Sequence, residues 1–341
     1  MPGSSKQSPK PKPSEIAADT KRNVLPFIKA EYADVTSSYL VAHPITQIEE
    51  LGDRPTSLSH PTFFVRSGDP VDLALGWQVE KDIFIPVICA ANDKRPGGDW
   101  ETGVQGYEER LCRRSSLAAT LATPAQDSRS PVNFPIPSTG AIYSPCVFVF
   151  RGPQYEPIDF EQWVKNKLPI VSVPPSRWPK LVPDGTKYSF RDERAMVKDK
   201  IRGALRICAY NGHEYVVISG DWGLGNGHRN PPRELAEVWR EVLLYDPDLR
   251  GRIREVAFVF EDASQCTAQM IITEMSKKDS KKSGKGKEGG GGKGKGAAGA
   301  SCGQFQPTDA QIFTAVFDEG EIRRVLEQPD ARYGLDNLLT K

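Results

Sequence analysis

Residues 83–117 read IFIPVICAANDKRPGGDWETGVQGYEERLCRRSSL. The run opens with IFIPVICAA (83–91), apolar and the length of a short buried strand. A polar, glycine-bearing loop follows at once, NDKRPGGDWETG (92–103). Leu111, Leu117 and Leu121 then recur at helical spacing and predict one helix from about Gly106 to Leu121. In α/β folds this order of strand, glycine loop and helix turns backbone N–H groups and a helix N-terminus towards a ligand beyond the carboxyl end of the strand.

The pattern recurs in YVVISGDWGLGNGHRNPPRELAEVWREVLL (215–244). A β-branched strand ends at Gly220, glycines follow at 223, 225 and 227, and Pro231 and Pro232 open a helix, where proline is tolerated in the first turn. Further strands are expected at 141–151, 168–176 and 254–262. RDERAMVKDKIRGALRI (191–207) reads as an amphipathic helix with Met196, Ile201 and Leu205 on its apolar side. Alternating strands and helices predict an α/β fold, with a parallel or mixed central sheet and helices on both faces.

Around this frame, residues 1–20 are rich in Pro, Ser and Lys and read as a disordered tail. Residues 21–80 read as an N-terminal extension packing on the core, with 45–80 unassigned. Residues 81–341 read as the main domain. It is interrupted at about 276–303 by a disordered Lys/Gly-rich insert and closed by two short helices between Asp309 and Leu339. The formal net charge is +1, but residues 276–301 hold eight lysines and two acids, leaving 37 basic and 42 acidic residues elsewhere. The folded part therefore has no basic field to attract nucleic acid, and no sequence-specific nucleic-acid partner is expected. There is no apolar run long enough for a transmembrane helix and no apolar stretch near Met1, so no membrane partner or secretory signal is expected. Six scattered cysteines without a CxxC fit reduced thiols in a cytoplasmic or nuclear protein. Neither they nor the four histidines have metal-ligand spacing, and no metal or cofactor is expected.

Glu108 and Glu109 sit in the first turn of the predicted helix, about 100° apart around it. They read either as favourable acids on a solvated helix face or as a carboxyl pair turned towards one ligand. The glycine loop from Gly220 to His228 reads either as a phosphate cradle or as a tight turn. It lacks the Gly-Lys-Ser/Thr of a nucleoside-triphosphatase loop. Trp222 reads as a plug at the loop base or a surface for a ligand ring, His228 as an ordinary loop histidine or a stacking partner, and Cys112 as a buried, inert thiol, because no base in the sequence stands beside it to make a nucleophile. Arg113 and Arg114 could reach a phosphate, one of them facing solvent.

Taken together, Ala91-Asn92, Arg95-Pro-Gly-Gly-Asp99 and Tyr107-Glu-Glu-Arg-Leu-Cys-Arg-Arg-Ser-Ser-Leu117 resemble the microbial-type poly(ADP-ribose) glycohydrolase family, in a divergent, fungal-like form. The family motif is three glycines, six to eight residues, then Gln-Glu-Glu. Here seven residues separate Asp99 from Tyr107. The order of later pieces, through Ile170-Val-Ser-Val-Pro-Pro and Asn230-Pro-Pro, extends the likeness over roughly 85–262. The resemblance implies a macrodomain-like three-layer α/β/α sandwich with a mixed sheet and extra helices at the N- and C-termini.

The resemblance also implies an activity. This is hydrolysis of the ribose–ribose O-glycosidic bond of poly(ADP-ribose), releasing ADP-ribose, in a monomer acting on the polymer or on ADP-ribosylated proteins. A non-catalytic ADP-ribose reader is the alternative, and a deacetylase of acylated ADP-ribose a more distant one. Carried over by position, Glu109 is the catalytic acid/base and Glu108 holds ribose hydroxyls. Asn92, Gly97, Gly98, Asp99, Gln105 and Tyr107 fall along the ribose and diphosphate. Gly223, Leu224, Gly225, Asn226, Gly227 and His228 form the diphosphate loop. Two positions depart from the motif: Asp99 replaces the third glycine, where a charge must turn away from an anionic ligand, and Tyr107 replaces the glutamine. The later loop also lacks the aromatic residue often found there.

Overall fold

The protein was analysed as a computed structural model that describes residues 11–48, 51, 59–284 and 306–327. In chain order the helices are α1 (Pro13–Asp19), α2 (Leu25–Glu31), α3 (Pro44–Gln47), α4 (Pro70–Lys81), α5 (Tyr107–Arg114), α6 (Leu117–Ala122), α7 (Phe160–Trp163), α8 (Arg191–Tyr210), α9 (Gly225–His228), α10 (Pro232–Tyr245), α11 (Thr267–Gly284), α12 (Asp309–Val316) and α13 (Glu319–Glu327). The strands are β1 (Tyr39–Val41), β2 (Thr62–Ser67), β3 (Val87–Ala90), β4 (Ala141–Phe148), β5 (Lys167–Val173), β6 (Tyr215–Ser219) and β7 (Glu255–Phe260).

One seven-stranded sheet runs in the order β1-β4-β5-β3-β6-β7-β2. Strands β5, β3, β6, β7 and β2 are mutually parallel, while β4 is antiparallel to β5 and β1 to β4. The expected mixed α/β sheet is therefore present. Its layers follow from side-chain alternation along the strands. Ile88, Val216, Ile218, Val256 and Phe258 face one core with α8, α10 and α12, through residues such as Ile201, Leu205, Trp239 and Phe313. Val87, Cys89, Val217, Ala257 and Val259 face the other, with Val71 and Ala74 of α4, Leu111 and Cys112 of α5, and Leu117 and Leu121 of α6. The carboxyl ends of β3, β5, β6 and β7 consequently open at one edge between the two layers, where both glycine loops begin.

Several expectations change. Residues 13–19, assigned to a disordered tail, form α1 and bury Ile16 and Ala17 against the core; residues 1–10 lie outside the described part. Residue 81 is not a structural boundary, because the stretch read as an extension supplies both edge strands, β1 and β2, and helix α4. Of the insert, residues 276–284 continue α11 and the remainder lies outside the described residues. The single helix from Gly106 to Leu121 is two helices. Ser115 is extended (φ −146°, ψ 170°) and bridges Val149, its hydroxyl donates to Leu111 O at 2.6 Å, and the Ser116 hydroxyl accepts from Phe148 N at 3.0 Å. Ser115 bonds the preceding turn and Ser116 the neighbouring strand β4, and together they break the helix. On α8, Ile201 and Leu205 are buried but Met196 is 40% exposed, outside the apolar stripe.

Trp239 anchors the first core. It is 1% exposed and lies edge-on to both Trp222 (centroids 5.4 Å apart) and Phe258 (5.8 Å). Trp239→Ala is expected to lower unfolding free energy by about 3–5 kcal/mol in urea denaturation, since the rings around it cannot collapse into the space. A loss under about 1 kcal/mol contradicts this packing.

Candidate active site

The first wall of the site grows from the end of β3. Asn92 turns the chain, its Oδ1 accepting from Lys94 N (2.8 Å) and Arg95 N (3.2 Å). Gly97 and Gly98 are both left-handed (φ 69° and 57°), a conformation L side chains rarely adopt. A Cβ on Gly97 would lie 2.8 Å from Cys112 Sγ, and one on Gly98 2.6 Å from Glu109 Oε1. The turn thus packs directly on α5, and a Cβ on Gly106, before the helix, would collide with Glu109 Oε2. The half-buried Glu109 carboxylate therefore sits between two glycine backbones, its Oε1 3.4 Å from the Asp99 N–H.

Glu108 is the more buried of the pair. It is 6% exposed, and its Oε2 accepts from Asn92 N at 2.6 Å while Oε1 has no partner. Burial raises its pKa to about 8, against the lowering by the Asn92 N–H; neighbouring Glu109 adds to the rise. At neutral pH Glu108 is a neutral acid and Oε1 or Oε2 carries a proton it can donate.

Both arginines after the pair are buried, so neither is the solvent-facing residue or the phosphate ligand expected. Arg113 (0% exposed) donates Nε to Trp100 O at 2.8 Å and Nη2 to Thr102 O at 3.0 Å, also reaching Val104 O and Tyr155 Oη. One guanidinium thereby fixes the loop 100–104. Arg114 pairs with Asp69 at 2.5 Å, and Asp69 also caps α4 through Val71 N and Asp72 N. Arg110 joins Gln105 O to Glu261 at the end of β7. Tyr107, in place of the motif glutamine, is buried beside these groups with its hydroxyl unpartnered. Asp99 turns outward to an ion pair with Arg95, its side chain 45% exposed. Cys112 is 0% exposed behind Gly97, and burial holds its thiol protonated, as expected of an inert core cysteine.

The second wall follows β6. Gly220 lets the chain pass the Phe260 ring, and Trp222 plugs the loop base as expected, donating Nε1 to Val173 O at 3.0 Å. Asn230 bonds Gly223 O (2.7 Å) and Ser176 O (2.9 Å) and accepts from Tyr188 Oη (3.0 Å). Residues 225–228 then make a single helical turn. Its first N–H, that of Gly225, is not turned to a ligand; it donates to Thr267 Oγ1 at 2.8 Å. Thr267 Oγ1 in turn donates to Asp309 Oδ2 (2.6 Å), while Asp309 also accepts from Thr267 N (3.0 Å) and Gln265 Nε2 (2.9 Å). Asp309, fully buried, lies beyond the lysine-rich stretch in sequence yet locks the turn.

Between the walls lies a cavity of about 510 Å³. Asn92, Gln105, Tyr107, Glu108, Glu109 and Leu224 to His228 line it, so the two predicted loops meet. Gly97, Gly98, Asp99 and Gly223 do not border it; their place is behind the lining, shaping it. Sequence reasoning missed Arg177, Ser219, Asp221, Phe260, Glu261, Asp262 and Gln265. Ser219, Phe260 and Glu261 stand at ends of parallel strands, which was the available signal; Arg177 and Gln265 lie in loops without one. Among the described residues no group of three or more His, Cys, Asp or Glu could hold a metal, and no helix is long and apolar enough to cross a membrane.

Residues 31–152 match the family model described as microbial-type PARG, catalytic domain. The matched segment contains β1 to β4 and the whole first wall, with both glutamates; the second wall lies beyond it. The fold is similar to the crystal structure of poly(ADP-ribose) glycohydrolase from Thermomonospora curvata, at 20% identity and TM-score 0.57, covering 77% of this chain and 98% of that one. It is also similar to the same enzyme bound to the inhibitor ADP-HPD (20%, TM-score 0.53, coverage 77% and 98%). A third likeness is to the Deinococcus radiodurans enzyme in complex with ADP-ribose (22%, TM-score 0.50, coverage 73% and 96%). At these identities the likeness shows a shared fold, over 77% of the chain for the Thermomonospora curvata enzyme. No curated protein matches the chain.

Two predictions test this geometry. Between its ordinary pKa of 4.5 and about 8, Glu108 is ionised in the unfolded chain but protonated in the native one. The native state then binds the extra proton, so stability falls as pH rises through this window and levels off above it, by at most about 1.4 kcal/mol per pH unit. Urea denaturation of wild type and Glu108→Gln across the window should show the variant gaining on wild type as pH rises. A difference that does not change with pH contradicts a protonated Glu108. Thr267→Val keeps the shape of the side chain but leaves Gly225 N and Asp309 short of a partner. It should cost about 1–3 kcal/mol and raise amide hydrogen exchange in residues 225–228. Unaltered exchange there shows that Thr267 does not hold the turn.

Proposed function

We propose that this protein is a poly(ADP-ribose) glycohydrolase that cleaves the ribose–ribose O-glycosidic bond and releases ADP-ribose. The observation that carries the reading is the carboxyl pair at the head of α5, at the carboxyl end of the central strand β3, facing a second glycine turn across one cavity. The match of residues 31–152 to the microbial-type PARG family model supports the reaction, and the ADP-ribose complex of the Deinococcus radiodurans enzyme supports the ligand.

In this reading the diphosphate lies along the turn 225–228, against the N–H groups of Asn226, Gly227 and His228, with Arg177 opposite. Glu108, neutral and buried, donates its proton in a hydrogen bond to a ribose hydroxyl. Glu109, held between Gly98 and Gly106, faces the scissile bond. Protonated, it gives its proton to the leaving ribose oxygen as the C1–O bond breaks, through an oxocarbenium-like transition state. As a carboxylate it then takes a proton from the water that attacks C1, which restores the acid. The anionic diphosphate nearby favours the developing positive charge. Asp99 raises no obstacle to an anion, since its charge is spent on Arg95 at the surface.

Release of ADP-ribose from automodified polymer tests the reading. Glu109→Gln is expected to lower the rate at least about a thousandfold, in the range typical for losing a catalytic acid/base, while ADP-ribose affinity largely survives. Glu108→Gln should weaken ligand binding as well. A full rate in Glu109→Gln rules out the assignment, and binding without turnover in the wild-type chain leaves a reader of ADP-ribose.

A further inference from the structure

Trp178 follows β5 and its two buried prolines and is 68% exposed. Its backbone is left-handed, at φ 51°, where a bulky L-residue is a genuine outlier. Burial does not compensate for this strain, because the ring buries little. The ring is nevertheless pinned. The Trp178 N–H donates to His228 O at 2.7 Å, and its indole Nε1 donates to Asn226 O at 3.1 Å. The Arg229 guanidinium lies 5.9 Å from the ring centre and is itself bonded to Asn226 Oδ1, at 3.1 Å through Nε. Every one of these partners belongs to the turn that walls the cavity or follows it directly.

A strained, exposed and rigidly held aromatic ring beside a binding cavity fits a ligand role better than a packing role. Its chemistry is specific. An indole face accepts a nucleobase by stacking, and Arg229, held against the ring, suits a phosphate that flanks such a base. The cavity itself, at about 510 Å³, is the size of one small-molecule site, and Trp178 is not part of its lining.

We infer that Trp178 is a stacking platform outside the cavity for an adenine ring of the polymer, belonging to the ADP-ribose unit next to the one held inside. This rests on the function proposed above and deepens it: the platform makes the protein a reader of chains and not only of single units. The hydrolysis-silenced Glu109→Gln protein allows a direct test by binding measurements with ADP-ribose and with poly(ADP-ribose) fragments of defined length. Fragments should bind more tightly than ADP-ribose. Trp178→Ala should weaken fragment binding about tenfold and leave ADP-ribose binding unchanged. Trp178→Phe, which keeps a ring but loses the bond to Asn226 O, should recover most of the loss. Thermal melting should place both variants with their parent, since the side chain is mostly exposed. Unchanged fragment binding in Trp178→Ala overturns the platform. An equal loss for ADP-ribose and fragments also overturns it, by assigning the ring to the base inside the cavity. Failure of the parent protein to bind either ligand sinks the functional reading itself, before Trp178 is at issue.

Discussion

Helix α5 can lie against the loop after β3 because that loop has no side chain at the three places where the helix touches it. Cβ atoms at Gly97, Gly98 and Gly106 would strike Cys112, Glu109 and Glu109 respectively. Everything at the site depends on this approach. It seats the Glu109 carboxylate between two peptide backbones, it brings the Asn92 N–H onto Glu108, and it lets Arg113 reach three carbonyls of the loop from beneath. The same contact explains why the glycines do not line the cavity although the chemistry needs them. They act by absence, and a ligand need not touch them.

The two walls are held by different parts of the chain. The first is tied to the N-terminal region, where Asp69 both caps α4 and pairs with Arg114 at the end of α5. The second is tied to the C-terminal region through Asp309 and Thr267. Arg110 and Glu261 join the walls. A buried ion pair such as Asp69–Arg114 adds little net stability, but removing one member strands the other. Its effect is to fix where α5 begins and ends relative to the sheet.

Much of this was legible in the residues. The apolar runs at 87–90, 215–219 and 255–260 are buried on both faces, and such continuous runs are visible in sequence. The two glycine loops and the acid pair were legible for the same local reason. What was not legible was long-range. Nothing near Ser115 announces its bridge to Val149, so the helix was read as continuous. The burial of Arg113 and Arg114 depends on carbonyls and a carboxylate that only the fold delivers. Edge strands β1 and β2 are short or half-exposed and carry too little pattern to separate from loop. Asp309 stands 84 residues after Gly225 in the numbering, and no local signal joins them.

The charge of the cavity makes sense only after protonation is considered. Glu108, Glu109, Asp221, Glu261 and Asp262 line it against Arg110 and Arg177, an unpromising count for an anionic diphosphate. Burial changes the count. It keeps Glu108 neutral, and it raises Glu261, whose side chain is 28% exposed, against the lowering by Arg110. In the proposed reading, Glu109 is the carboxyl group beside the sugar, while the diphosphate lies against the 225–228 turn and Arg177. Placing a protonated, buried carboxyl and a half-buried one on adjacent residues requires their environments to differ sharply over one peptide unit. The helix start supplies this, because successive side chains there diverge by about 100°, one onto the Asn92 N–H and one towards the glycine turn.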